Sequence, residues 1–146
     1  LDPSLVAMDH VVFEQTAQHV NRTDVAALER VLGLYRGHFL QGESAPWVLP
    51  VREQLRARFL DLTERLGVLL EEQGEVGDAA QTYLRALDVE PVAEGMCRRV
   101  MIIYGKLGRR AEAVGVYQRF SQALHTKLGV PPASETIALY HSITKS

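Results

Sequence analysis

The chain has 146 residues, 47% hydrophobic and 23% charged, enough for one folded unit with a core of its own. Sixteen basic against eighteen acidic side chains leave a formal net charge of −2, so no general positive field attracts a nucleic-acid backbone. A lone cysteine, Cys97, excludes an internal disulfide and points to a reducing compartment, read as the cytoplasm, and no stretch reaches the roughly 18 apolar residues of a membrane-spanning helix.

In chain order, Asp2, Asp9 and His10 interrupt the start where an export signal would need a basic and then an apolar run. The opening at Leu1, without an initiator methionine, is read as a cut from a longer polypeptide. Phe13, Ala17 and Val20 lie at spacings of four and three, which predicts a helix over 10–20 with Asp9 as its N-cap. Thr23 or Asp24 can cap a second helix, whose apolar stripe is Leu28, Val31, Leu32 and Tyr35 and whose stop is Gly37. Gly42, Ser44 and Pro46 then mark a loop.

From Trp47 the apolar positions Val51, Leu55, Phe59, Leu62, Leu66 and Leu69 or Leu70 recur at threes and fours, the strongest helical pattern in the chain. Pro50 falls in its first turn and Gly74 where it ends. Asp61 and Arg65 stand four apart and are expected to pair on its wet face. Further helices are predicted over 79–87, over 92–107 just after Pro91, and over 109–128. Gly129, Pro131 and Pro132 break the chain before a last helix carrying Leu139, Tyr140 and Ile143, with Ser134 as its cap. No segment alternates with period two, so strands are not expected.

A repeat organises these helices. Gly74, Ala79, Tyr83 and Ala86 return 34 residues later as Gly108, Ala113, Tyr117 and Phe120, and Leu66 and Leu70 return as Val100 and Tyr104. Each unit reads as a helix, a tight turn and a second helix. Ala79 and Ala113 let the paired helices approach closely, while Tyr83 and Tyr117 fill the space between neighbouring pairs. Ala27 with Val31 and Leu34 is a degenerate leading copy interrupted over 37–50. The expected fold is all-α, with tetratricopeptide-like, right-handed helical hairpin repeats of about seven helices, forming a single domain over 1–146.

The pattern also resembles a known family, the bacterial transcriptional activator domain. The residues that carry the resemblance are Asp9 with Phe13, the run Leu34-Tyr35-Arg36-Gly37-His38-Phe39-Leu40, and Trp47 followed by Arg52 and Leu55. They continue with Gly77-Asp78-Ala79, Glu90-Pro91 with Glu94, Met101 and Tyr104, Gly108-Arg109 with Glu112-Ala113 and Tyr117, and Leu128-Gly129-Val130-Pro131-Pro132 with Ser134-Glu135-Thr136. Such domains stand beside a winged helix–turn–helix in antibiotic-regulatory activators. The resemblance implies a protein-binding module of a transcriptional regulator, working through self-association, signal relay or contact with the transcription machinery. The implied partners are other domains of the parent regulator, a second copy in a homodimer, or RNA polymerase subunits. DNA would be read by a separate domain, and neither cofactor nor membrane is implied.

Helical repeats bind through the side lined by the first helix of each pair. The inward-facing positions expected here are Asp61, Glu64, Val68, Glu71 and Glu72 in one unit and Arg98, Ile102 and Lys106 in the next, an acidic wall and a basic wall that would orient a peptide. The plain alternative is that these charges only solvate the surface. Tyr35-Arg36-Gly37 with Trp47 form a second candidate, read as a cover for the end of the core, and Arg109-Arg110 are read as facing water.

Catalytic chemistry finds no support. The histidines His10, His19, His38, His125 and His141 are scattered without HExxH spacing, and Cys97 has no companion thiol. Gly42-Glu43-Ser44-Ala45-Pro46 lacks the second glycine of a nucleophile elbow, and phosphate-binding and dinucleotide motifs are absent. No catalytic, metal or cofactor residue is assigned. The competing functional class is a regulator domain that senses a small ligand in its helical groove.

Overall fold

The computed structural model describes residues 3–35 and 48–145, with side chains from residue 11 in the first stretch and from residue 50 in the second. The described residues form seven helices and no strand: α1 (Pro3–His19), α2 (Val25–Leu34), α3 (Val48–Glu72), α4 (Val76–Val89), α5 (Glu94–Lys106), α6 (Arg110–Leu128) and α7 (Ser134–Lys145). The fold is all-α and tetratricopeptide-like, as the spacing of apolar residues requires. The chain divides into two compact units, Leu1–Leu69 and Leu70–Ser146, with the boundary inside α3.

In the first unit, Phe13 and Ala17 of α1, Leu28, Val31 and Leu32 of α2, and Leu55, Phe59, Leu62 and Leu66 of α3 are buried. The helices begin and end differently from expectation. Helix α1 starts at Pro3, where the missing N–H costs nothing, so Asp9 lies within the helix and is not its cap. Asp24 does cap α2, its carboxylate accepting from the Ala27 N–H at 3.2 Å. The same helix stops at Leu34, ahead of Gly37, because Tyr35 turns to an extended conformation (φ −73°, ψ 130°). Its ring lies 4.2 Å from Phe59 in a stacked arrangement and 5.5 Å from Phe13 in a tilted one. Gly37 itself lies outside the described residues, as do Arg36, Phe39, Trp47 and the 42–46 loop.

The expected Asp61–Arg65 pair is replaced by contacts between helices that are distant in sequence. Asp61 accepts from the Arg22 guanidinium at 2.8 Å, while Arg65 Nε donates to the Arg22 carbonyl at 2.9 Å. The turn between α1 and α2 offers the Arg22 carbonyl and guanidinium, which take Arg65 and Asp61 in place of each other. The Asp61 pair is exposed on both sides and contributes at most about 1 kcal/mol.

The second unit is built on the 34-residue period. Gly74 and Gly108 adopt φ of +81° and +75°, the left-handed region where a Cβ is penalised. After each, the chain closes the same way: Glu75 N–H donates to the Leu70 carbonyl and Arg109 N–H to the Tyr104 carbonyl, both at 2.8 Å. Ala79 and Ala113 are fully buried, as is Val100 on the helix before Ala113. Helix α5 packs against both α4 and α6, and α7 then packs against α5 and α6. Ala27, the counterpart proposed for the leading copy, is only half-buried.

The starts differ from expectation: α4 begins at Val76, three residues before the expected 79, and α6 at Arg110, one after the expected 109. Pro91 is followed by a turn closed by Ala93 N–H to the Glu90 carbonyl at 3.0 Å, so α5 begins at Glu94. Ser134 is the first residue of α7 and not its cap. Glu94 of α5 supplies the capping group instead: one carboxylate oxygen accepts from the Ala133 N–H at 2.8 Å and from the Thr136 hydroxyl at 2.5 Å. A carboxylate at a helix N-terminus is favoured by the aligned peptide dipoles, which removes the need for a local hydroxyl.

Candidate protein-binding surface

Three of the eight residues expected to face a partner lie in the first unit. Asp61 is exposed and held by Arg22, Glu64 is exposed, and Val68 is half-buried. All three follow one another along α3 at spacings of three and four, and so share one side of that helix.

The other five lie in the second unit, where the structure gives them different tasks. Glu71 is half-buried and accepts from the Tyr83 hydroxyl at 2.5 Å, with the Arg99 guanidinium 3.6 Å away and stacked over the Tyr83 ring at 5.6 Å. Burial, followed by the hydrogen bond to Glu71, pushes the Tyr83 phenol well above its ordinary range and keeps it a donor. Glu72, the next residue, is exposed. Glu71 therefore holds the first repeat together, a role that its charge alone does not reveal.

Arg98 also turns inward. It donates to the Thr136 hydroxyl at 3.0 Å and lies 3.7 Å from Glu94 and 3.9 Å from Glu135. Thr136 is fully buried beneath this cluster, so Arg98 and Glu94 together clamp the start of α7 to α5. A charge reversal at Arg98 is expected to loosen α7 as well as alter the surface.

Ile102 and Lys106 are the pair that stays on the outside. Ile102 is 41% exposed, and Lys106, one turn further along α5, is exposed too. They line one side of a hollow of about 580 Å³, with Gly105, Gly108 and Arg110 beside them and Leu139, Ser142 and Ile143 of α7 opposite. Sequence reasoning missed the α7 half. Leu139 and Ile143 were placed only on the last helix, and their helical spacing fits a half-covered stripe as well as a covered one; both are half-buried.

The remaining candidates are structural. Tyr35 covers the end of the first core, as read from the sequence. Arg109 pairs with Glu112 at 2.6 Å and stacks over Tyr104 at 5.2 Å. Cys97 is fully buried with its Sγ 3.7 Å from Met101 Sδ, and burial pushes its thiol up to about 12, so it is a small apolar side chain and not a nucleophile. Among the described residues no three His, Cys, Asp or Glu side chains are placed to hold a metal ion. No helix among them is long and apolar enough to cross a membrane.

A stack of paired helices closed by left-handed glycines 34 residues apart is a repeat architecture, and the sequence pattern of one such family, the bacterial transcriptional activator domain, matches residues 7–144. The chain belongs to the bacterial transcriptional activator domain family. It is also similar to the regulatory protein AfsR of Streptomyces griseus, with 29% identity over 119 residues, 82% of this chain. The chain spans only 12% of the length of that relative. No solved structure matches. A bacterial transcriptional activator domain is a domain of transcription regulators, and the residues that carried the resemblance in the sequence lie inside the matched span.

Proposed function

We propose that this bacterial transcriptional activator domain is a protein-interaction module of a longer, cytoplasmic bacterial regulator, forming one functional domain over 1–146. It associates with itself, with other domains of its parent or with RNA polymerase subunits, and relays a signal to transcription without chemistry of its own. DNA is contacted by a separate domain. The observation that carries this reading is Ile102, which stands 41% exposed where the first helix of a repeat lines its binding surface. In the second unit Glu72 and Lys106 then orient partners by charge, while Glu71 and Arg98 contribute by holding their helices in place; in the first unit, taken by itself, Asp61 and Glu64 add charge and Val68 adds contact area.

The test is light scattering on the chain, together with pull-downs against the other parent domains and against RNA polymerase subunits. A stable dimer or one specific capture is expected. A strictly monomeric chain that captures none of them would remove the reading.

A second reading is a small-ligand sensor. It is favoured by a hollow of about 600 Å³ along α6, lined among others by Tyr117, Gln118, His125 and Pro131. A metabolite thermal-shift screen separates the two, because a ligand present at 100 times its dissociation constant stabilises the fold by roughly 2.7 kcal/mol.

A further inference from the structure

We propose that the hollow between α5 and α7 is a docking site for an acidic amphipathic peptide segment, which places apolar side chains on Ile102, Leu139 and Ile143 and carboxylates on Lys106 and Arg110. The inference rests on the protein-interaction reading and names the chemistry of the partner.

Shape comes first. Ile102 and Lys106 are one turn apart on α5, and Leu139 and Ile143 are one turn apart on α7, so a four-residue stripe from each helix lines the same hollow. A segment with apolar side chains at i and i+4 meets both stripes at once, as an amphipathic helix laid in a groove does.

Charge selects the occupant. The titratable side chains lining the hollow, Lys106 and Arg110, are both basic, and no carboxylate lines it. Other basic side chains of the second unit are spent on internal partners: Arg98 on Glu94, Arg99 on Glu71, Arg109 on Glu112 and Lys127 on Glu90. Lys106 is exposed and forms no ion pair among the described residues. A basic segment would meet repulsion from both Lys106 and Arg110.

The experiment selects a displayed library of random peptides about three helical turns long on the immobilised chain. The enriched peptides are then titrated by fluorescence anisotropy against the parent chain, Lys106→Glu and Ile102→Ser. Both variants change exposed side chains, and circular dichroism checks that they keep their helices. Enriched peptides are expected to carry carboxylates beside apolar residues spaced i and i+4. They should lose about tenfold in affinity or more with either variant and weaken as salt rises. Basic or uncharged winners would overturn the proposal, as would an affinity unmoved by Lys106→Glu, competition by a free dicarboxylate such as glutarate at equal strength, or no enrichment at all. Acidic peptides indifferent to both variants would leave the interaction reading standing and remove this site. The interaction reading itself falls only with the light-scattering and pull-down tests.

Discussion

The two turns of the second unit have nearly the same backbone and different side-chain economies. Around Gly74 the repeat tyrosine, Tyr83, is fully buried and its hydroxyl is tied to Glu71 and stacked under Arg99. Around Gly108 the corresponding Tyr117 is half-buried and stacks on Tyr140 of α7 at 4.1 Å, with the rings 19° apart. The first turn is sealed by a polar network that joins Glu71 of α3 and Tyr83 of α4 to Arg99 of α5. The second is sealed by the helix that follows. A shared register therefore specifies where a side chain goes, and the neighbouring element decides what it does there.

The largest expected effect separates the tyrosines. Tyr83→Ala should cost about 3–5 kcal/mol, since it empties a fully enclosed site, while Tyr117→Ala should cost under about 2 kcal/mol because its ring is partly wet. Urea denaturation at neutral pH measures both, and equal losses would break the contrast. Next in size, Ala113→Leu and Ala79→Leu should each destabilise by about 1–3 kcal/mol through overpacking between paired helices. Both alanines are fully buried, so an unchanged melting temperature for either would mean that its helices do not meet there. The smallest effect should be the same for both turns. Gly74→Ala and Gly108→Ala place a Cβ in open space but at positive φ, which costs about 1–2 kcal/mol in backbone strain. A clear inequality between them, read from denaturation midpoints, would show that the turns are not equivalent after all.

The repeat was legible because each of its signs is local. A glycine at positive φ, an alanine under a crossing helix and apolar residues at threes and fours each leave a mark at a fixed offset, so Gly74, Ala79 and Tyr83 could be paired with Gly108, Ala113 and Tyr117 before any coordinates. The candidate surface was half legible. Ile102 and Lys106 followed from the resemblance to helical repeats, which bind through the first helix of each pair, but Leu139 and Ile143 on α7 carry no sign that tells a half-covered stripe from a covered one. Cap positions were less secure still. Ser134 looked like a cap, and the carboxylate that caps the helix, Glu94, lies 39 residues before Ala133, from whose N–H it accepts a hydrogen bond.

The amino-acid sequence by itself determined the seven helices, the 34-residue spacing and the family, since these depend on side-chain periodicity and on backbone freedom at single residues. Tertiary structure alone decided which charges are spent and which remain. Asp61 meets Arg22 and not Arg65, Glu71 serves Tyr83, and Arg98 clamps Thr136, leaving Lys106 at the surface. The reason is physical: an ion pair or hydrogen bond needs its partners within a few ångströms, and that proximity is set by how the helices pack, whatever their separation along the chain.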